Sequence, residues 1–219
     1  MKELAIKGTI IDNNSKDVYD YFEIEHTAPK DIINELDGDD IKITVNSYGG
    51  LVNAGVEIYT ALKAYEGNVT IDVVTAGSAA SVIAMAGDTV RMSPAGQLMI
   101  HNVWTQATGD HNEMDHTSQV LKQANHALAN AYQLKTGRTH EEIIQWMDEE
   151  TWITAKQAVE LGFADEVLFT NDANISLLAS VGTPILSQET MNKLRQLKQN
   201  KQENKTEEQE QSFIDQLFF

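Results

Sequence analysis

Cysteine is absent from all 219 residues. That excludes disulfides, thiolate metal sites and a cysteine nucleophile, and it fits a reducing cytoplasm. Basic residues are scarce: 16 Lys and Arg stand against 33 Asp and Glu, a net charge of −17. Non-specific binding to nucleic acid or to an anionic membrane needs a basic surface, so neither is expected as a partner. Long apolar runs are missing too. No stretch reaches the roughly 20 residues of a bilayer-crossing helix, and residues 1–12, interrupted by Lys2, Glu3 and Lys7, hold no signal-peptide core. What is present is a chain 42% hydrophobic, enough for one sizeable core with appendages.

Strand-like and helix-like segments alternate through most of the chain. Residues 4–11, 41–45, 69–75, 89–92 and 97–100 read as strands; 29–36, 52–65 and 79–86 have helical spacing, the first opening on Pro29. Such alternation predicts βαβ units and a largely parallel sheet covered on both faces. Residues 109–135, rich in Ala, Asn, Gln and His with sparse apolar positions, predict one long projecting helix. Thr139-His140-Glu141-Glu142 forms a capping-box pattern for a short helix to Met147; another runs from 154 to 161 and stops at Gly162, and 163–169 returns as a final strand. The expected organisation is a domain over 1–170, a linker over 171–187 with Gly182 and Pro184, and a polar extension over 188–219, helical or disordered, ending on an apolar tip.

The segment Ala76-Gly77-Ser78-Ala79-Ala80-Ser81-Val82 follows a strand and opens a helix of small residues. A serine there stands beside first-turn backbone N–H groups that no helical carbonyl satisfies. Ser78 and Ser81 are both candidates, and either can instead serve as a helix cap or packing residue. The next apolar run ends in Leu98-Met99-Ile100-His101, which supplies a base after the following strand. A serine hydroxyl is a poor nucleophile until such a base accepts its proton. The pair Gly49-Gly50, also between strand and helix, permits positive φ and close approach to a ligand. The G-x-S-x-G elbow of α/β-hydrolases is absent. His111, His116 and His126 share no metal-ligand spacing, while His26 and His140 are isolated, so no metal site and no cofactor are expected.

Asn46-Ser47-Tyr48-Gly49-Gly50, Gly77-Ser78-Ala79-Ala80-Ser81, Met99-Ile100-His101, Thr136-Gly137 and the run from Trp152 to Asp165 occur in the order of the successive signatures of the ClpP family of serine peptidases, which residues 6–168 resemble. The resemblance implies a crotonase-like repeated βαβ superhelix, with residues 109–135 as a protruding handle helix, assembly into ring-shaped homo-oligomers, and hydrolysis of polypeptides by a Ser-His-acid triad. Carried over by position, Ser81 becomes the nucleophile and His101 the general base, with the N–H groups of Gly50 and Val82 as the oxyanion hole. The acid falls on Glu150, where the family has aspartate; Asp148 and Glu149 are its neighbours.

Tyr48 stands where the family commonly has proline, and Asn102-Val103-Trp104 follows His101 in place of a proline-containing turn. The short start and the polar extension resemble the ClpP-like enzymes encoded in phage and prophage head-morphogenesis clusters. That likeness implies an ATP-independent endopeptidase in the cytoplasm of a bacterial host, acting on capsid or scaffold proteins. Three rivals are carried beside it: a housekeeping degradation subunit fed by an ATP-dependent unfoldase, a crotonase-fold enzyme acting on acyl-CoA thioesters, and a structural assembly protein docking through 188–219.

Overall fold

A computed structural model describes residues 1–170; the expected linker 171–187 and extension 188–219 lie outside the described residues. The order of elements is β1 (Lys2–Ile10), α1 (Lys16–Tyr21), β2 (His26–Thr27), α2 (Pro29–Ile33), β3 (Ile41–Gly50), α3 (Val52–Lys63), β4 (Val69–Gly77), α4 (Ala79–Ala84), β5 (Thr89–Ile100), α5 (His111–Thr136), α6 (His140–Asp148), β6 (Thr151–Thr154), α7 (Ala155–Leu161) and β7 (Glu166–Val167). The fold is mixed α/β around one seven-stranded sheet of order β2-β1-β3-β4-β5-β6, with β7 also on β5. Every pairing is parallel except β5 with β6, which is antiparallel.

Alternation drives the central strands. Ile41, Ile43 and Val45 of β3 register with Val69, Ile71 and Val73 of β4, and Ile71 and Val73 with Val90 and Met92 of β5. All of these are buried, because period-two spacing puts them on one face of the pleat. The opposite face differs from the expectation of cover on both sides. It carries Lys42, Thr44, Thr70, Asp72 and Arg91, all half-buried within the single chain. Polar side chains there are paired instead of packed: Lys42 with Glu3, and Arg91 with Asp72 through two hydrogen bonds of 2.7 and 2.9 Å.

The two strands expected at 89–92 and 97–100 are one strand, β5. Its register with β4 jumps from Val73↔Met92 to Thr75↔Gln97, so residues 93–96 bulge out. Pro94 lies in that bulge, where its missing N–H costs no ladder bond. The expected last strand shrinks to Glu166–Val167, tied by Asp165 N–H to the Val90 carbonyl (2.7 Å).

The long helix is present as α5. Asp110 caps it, accepting from Asn112 and Glu113 N–H, and Gly137 ends it in the left-handed conformation at φ 68°. Only Leu128, Ala129, Ala131 and Tyr132 of α5 are buried. The helix is therefore anchored by its last turns, and most of its length stands clear of the core. Thr139 caps α6 as its sequence predicts, accepting from Glu142 N–H at 3.2 Å.

Candidate active site

Parallel strands bring their carboxyl ends to one edge, where ligand sites of α/β sheets gather. Here β3 delivers Gly49 and Gly50, β4 runs into Ser78, and β5 runs into His101. Ser78 sits between strand and helix at φ 53°, ψ −125°, a conformation that typically costs a non-glycine residue about 1–3 kcal/mol. Its surroundings hold it there. Ser78 N–H donates to Met99 O (3.0 Å), and Ser78 C=O accepts from Ser81 N–H (3.0 Å) and Val82 N–H (3.3 Å). Its hydroxyl is left facing the imidazole of His101, with Oγ 2.8 Å from Nε2.

The glycine loop is pressed against this serine. A Cβ on Gly49 (φ 102°) would lie 2.7 Å from both Ser78 Cβ and the Gly77 carbonyl oxygen, so only glycine fits. Ser47, buried, pins the loop: its hydroxyl donates to Gly8 C=O (2.6 Å) and accepts from Gly49 N–H (3.0 Å). Beyond Ser47↔Ala76 the β3–β4 ladder ends. Ala79 opens α4, so no helical carbonyl reaches its N–H. Gly50, Ser78, Ala79 and His101 line one open cleft of about 1320 Å³, walled by apolar side chains including Leu51 and Met99.

The expected residues divide. His101 and Gly50 lie in the cleft; Ser81, Val82 and Glu150 do not. The geometry sets the expected nucleophile Ser81 outside the cleft, with His101 against Ser78 instead. Ser81 is 0% exposed, one turn inside α4, and its Oγ donates to Ser78 C=O (2.7 Å) and meets the Tyr132 hydroxyl at 2.8 Å. The expected oxyanion donor Val82 moves with it, since its N–H is already engaged by Ser78 C=O. By sequence alone Ser78 is equally a helix cap. The signal that picks it out is its place directly after the last strand residue, Gly77, where a serine meets the cleft before the helix turns it inward.

None of the three acids is hydrogen-bonded to His101 among the described residues. Glu150, in a left-handed conformation (φ 48°) after α6, accepts from Trp152 Nε1 at 3.4 Å. Glu149 accepts from Gln145, and Asp148 accepts from Asn102 Nδ2 at 2.7 Å. Asn102, next to the histidine, keeps a buried Oδ1 without a hydrogen-bond partner among the described residues. Among the described residues no group of three or more His, Cys, Asp or Glu is arranged to hold a metal. His140 is not isolated as its sequence context implies, for its Nε2 lies 2.8 Å from His126 Nδ1 with the rings stacked.

The family model for Clp protease matches residues 29–171, which hold Gly49, Gly50, Ser78 and His101. The chain belongs to the Clp protease family. It is 33% identical over 134 residues to an ATP-dependent Clp protease proteolytic subunit of Bacteroides fragilis, covering 60% of this chain and 65% of that protein. It is 31% identical over 128 residues to the proteolytic subunit of Chlorella vulgaris, covering 57% and 64%. With subunit 1 of Chlamydia abortus it shares 32% identity over 140 residues, covering 61% and 72%. The chain thus spans under two thirds of the length of the Bacteroides and Chlorella relatives. Among the described residues no helix is long and apolar enough to cross a membrane.

Proposed function

We propose that this Clp protease family member is a serine endopeptidase in which Ser78 is the nucleophile and His101 the general base. The observation that carries the reading is the 2.8 Å contact between Ser78 Oγ and His101 Nε2 inside the cleft. His101 takes the hydroxyl proton as Ser78 Oγ attacks a peptide carbonyl, then passes it to the leaving amine. Water, deprotonated by the same imidazole, releases the acyl group from Ser78. The N–H groups of Gly50 and Ala79 receive the oxyanion, a contribution typically worth about a hundred-fold to a thousand-fold per donor.

The orienting acid comes from the run 148–150. Glu150 stands there by the family motif, and Asp148 is held by the side chain beside His101. Glu150→Gln and Asp148→Asn are compared for loss of kcat, and the larger loss identifies the acid. An acyl-CoA enzyme of crotonase type would have no use for the serine–histidine pair. The finer reading follows from the resemblance: a crotonase-like superhelix over 1–170 joined through 171–187 to an extension, ring-shaped homo-oligomers, ATP-independent cleavage, and capsid or scaffold polypeptides as substrates in a bacterial host.

The test is labelling by a fluorophosphonate probe. Ser78→Ala should abolish it, while Ser81→Ala should retain it at a reduced rate. Labelling that survives in the Ser78→Ala protein and disappears in the Ser81→Ala protein would return the nucleophile to Ser81.

A further inference from the structure

Two buried hydroxyls beneath the nucleophile take no part in the proton transfers described above. Tyr132, near the end of α5, is 1% exposed, and its hydroxyl lies 2.8 Å from Ser81 Oγ. Ser81 Oγ in turn lies 2.7 Å from the Ser78 carbonyl oxygen. A serine hydroxyl has one proton. It goes to the carbonyl, which cannot donate, so Tyr132 must donate to Ser81. Burial raises the Tyr132 pKa far above that of an ordinary phenol, so the donor keeps its proton. The direction of the chain is therefore fixed: Tyr132 O–H to Ser81 Oγ, then Ser81 O–H to Ser78 C=O.

That carbonyl accepts from three donors, since Ser81 N–H and Val82 N–H also point at it. The Ser78–Ala79 peptide is a rigid plane with its C=O and N–H on opposite sides. Anchoring the carbonyl inward aims the Ala79 N–H outward, toward the cleft that Ala79 lines. The same anchoring helps hold Ser78 in its costly backbone conformation.

We infer that Tyr132 and Ser81 are positioning residues that aim the Ala79 N–H at the oxyanion. The last turns of α5 thereby set the geometry of the oxyanion hole. The inference rests on Ser78 being the nucleophile.

Three measurements on the full chain test it: hydrolysis of a fluorogenic peptide, affinity for a peptide boronate, and affinity for the matching peptide amide. The boronate forms a tetrahedral adduct whose oxygen occupies the oxyanion position; the amide forms none. Tyr132→Phe keeps the ring and its packing and removes only the donor. It should lower kcat about 10-fold to 100-fold, below the full loss of an oxyanion donor, and weaken the boronate by a similar factor. KM and amide affinity should stay within about two-fold, because ground-state binding does not use the oxyanion donor. Ser81→Ala combined with Tyr132→Phe removes both polar partners and strands no buried group. Its loss should be at least that of Tyr132→Phe alone, since it also removes the Ser81 O–H from the Ser78 carbonyl, and less than the sum of the two single losses, as expected of residues acting as one unit.

If Tyr132→Phe lowers the melting temperature but leaves kcat and boronate affinity at wild-type values, the pair is structural and the inference is overturned. The same result in the double variant overturns it independently. Fluorophosphonate labelling that persists in Ser78→Ala overturns the nucleophile reading itself, and so separates that failure from this one.

Discussion

Gly49→Ala should damage both stability and chemistry, and for separable reasons. The backbone there has φ 102°, which alanine adopts at a typical cost of about 2 kcal/mol. The new methyl would also lie 2.7 Å from the Gly77 carbonyl oxygen and from Ser78 Cβ, and 3.0 Å from the Ala79 nitrogen. Backbone atoms cannot swing aside like a flexible side chain, so overpacking adds about 2 kcal/mol more. The sum, about 4 kcal/mol, corresponds to a fall in Tm of roughly 8–16 °C for a domain of this size. Gly38 supplies the control. Its φ is 98°, yet a Cβ there meets nothing within 4 Å. Gly38→Ala thus carries the backbone cost alone and should lose half as much or less. The two differ more in chemistry, because Ser78 and Ala79 must retreat from Gly49 but not from Gly38. Fluorophosphonate labelling should slow about a hundred-fold or more in Gly49→Ala, the scale expected when reacting groups are displaced, and stay normal in Gly38→Ala. Differential scanning calorimetry at matched concentration and the labelling rate are the assays. Equal melting temperatures for the two variants together with wild-type labelling of Gly49→Ala would refute the close-approach reasoning.

Phe163→Ala should cost about 3–5 kcal/mol in urea unfolding, since Phe163 is fully buried with Tyr132 at 6.0 Å edge-on and Trp146 tilted at 6.0 Å. Among the described residues, Asp72→Ala leaves the half-buried Arg91 only Glu166, at 3.9 Å. It should lose about 1–2 kcal/mol, less than for a fully buried pair, while Asp72→Leu with Arg91→Met should lose less than Asp72→Ala alone in the same assay. The Glu142 carboxyl is held below its usual range, first by Thr139 N–H and then by the Thr139 hydroxyl. A depressed folded-state pKa stabilises α6 at pH above about 4.5, and that support is lost as pH falls through the lower folded value. An NMR titration of Thr139→Ala should therefore show Glu142 moving up toward the ordinary carboxylate range; an unchanged value would exclude the hydroxyl as a cause.

Central strands were legible because Ile41, Ile43 and Val45 and then Val69, Ile71 and Val73 repeat at period two, and one buried face suffices to impose that pattern. The long helix was legible through the polar composition and sparse apolar positions of 109–135; its caps, Asp110 with Glu113 and Gly137, emerge only in the structure. Short edges were not. Residues 26–27 and 151–154 become strands only because β1 and β5 offer them a ladder, and two or four residues are too few to show a period. The β5 bulge hid one strand as two, since Pro94 and Gly96 read as a break in any local window. Contacts across long separations left no trace at all. Tyr132 and Ser81 are 51 positions apart, and spacing within α5 marks Tyr132 only as one more core residue.

That Ser78 and not Ser81 meets His101 shows which part of a site topology decides and which part it leaves to local geometry. Right-handed βαβ units force β3, β4 and β5 to end on the same edge, so a glycine loop, a serine and a histidine had to meet there once the strands were identified. Which serine meets the histidine depends on where α4 begins. With Ala79 as its first residue, Ser78 still belongs to the strand-to-helix corner and faces His101. Three positions later the chain has advanced about 4.5 Å along the helix and turned almost once around it. That single turn carries Ser81 out of the cleft and under the corner, where its hydroxyl meets the Ser78 carbonyl and Tyr132. A motif matched by composition cannot see this difference, because both serines fall within the same short segment after Gly77 and both flank Ala79-Ala80. The strained φ of Ser78 can, since a side chain is forced into that conformation only where its surroundings demand it.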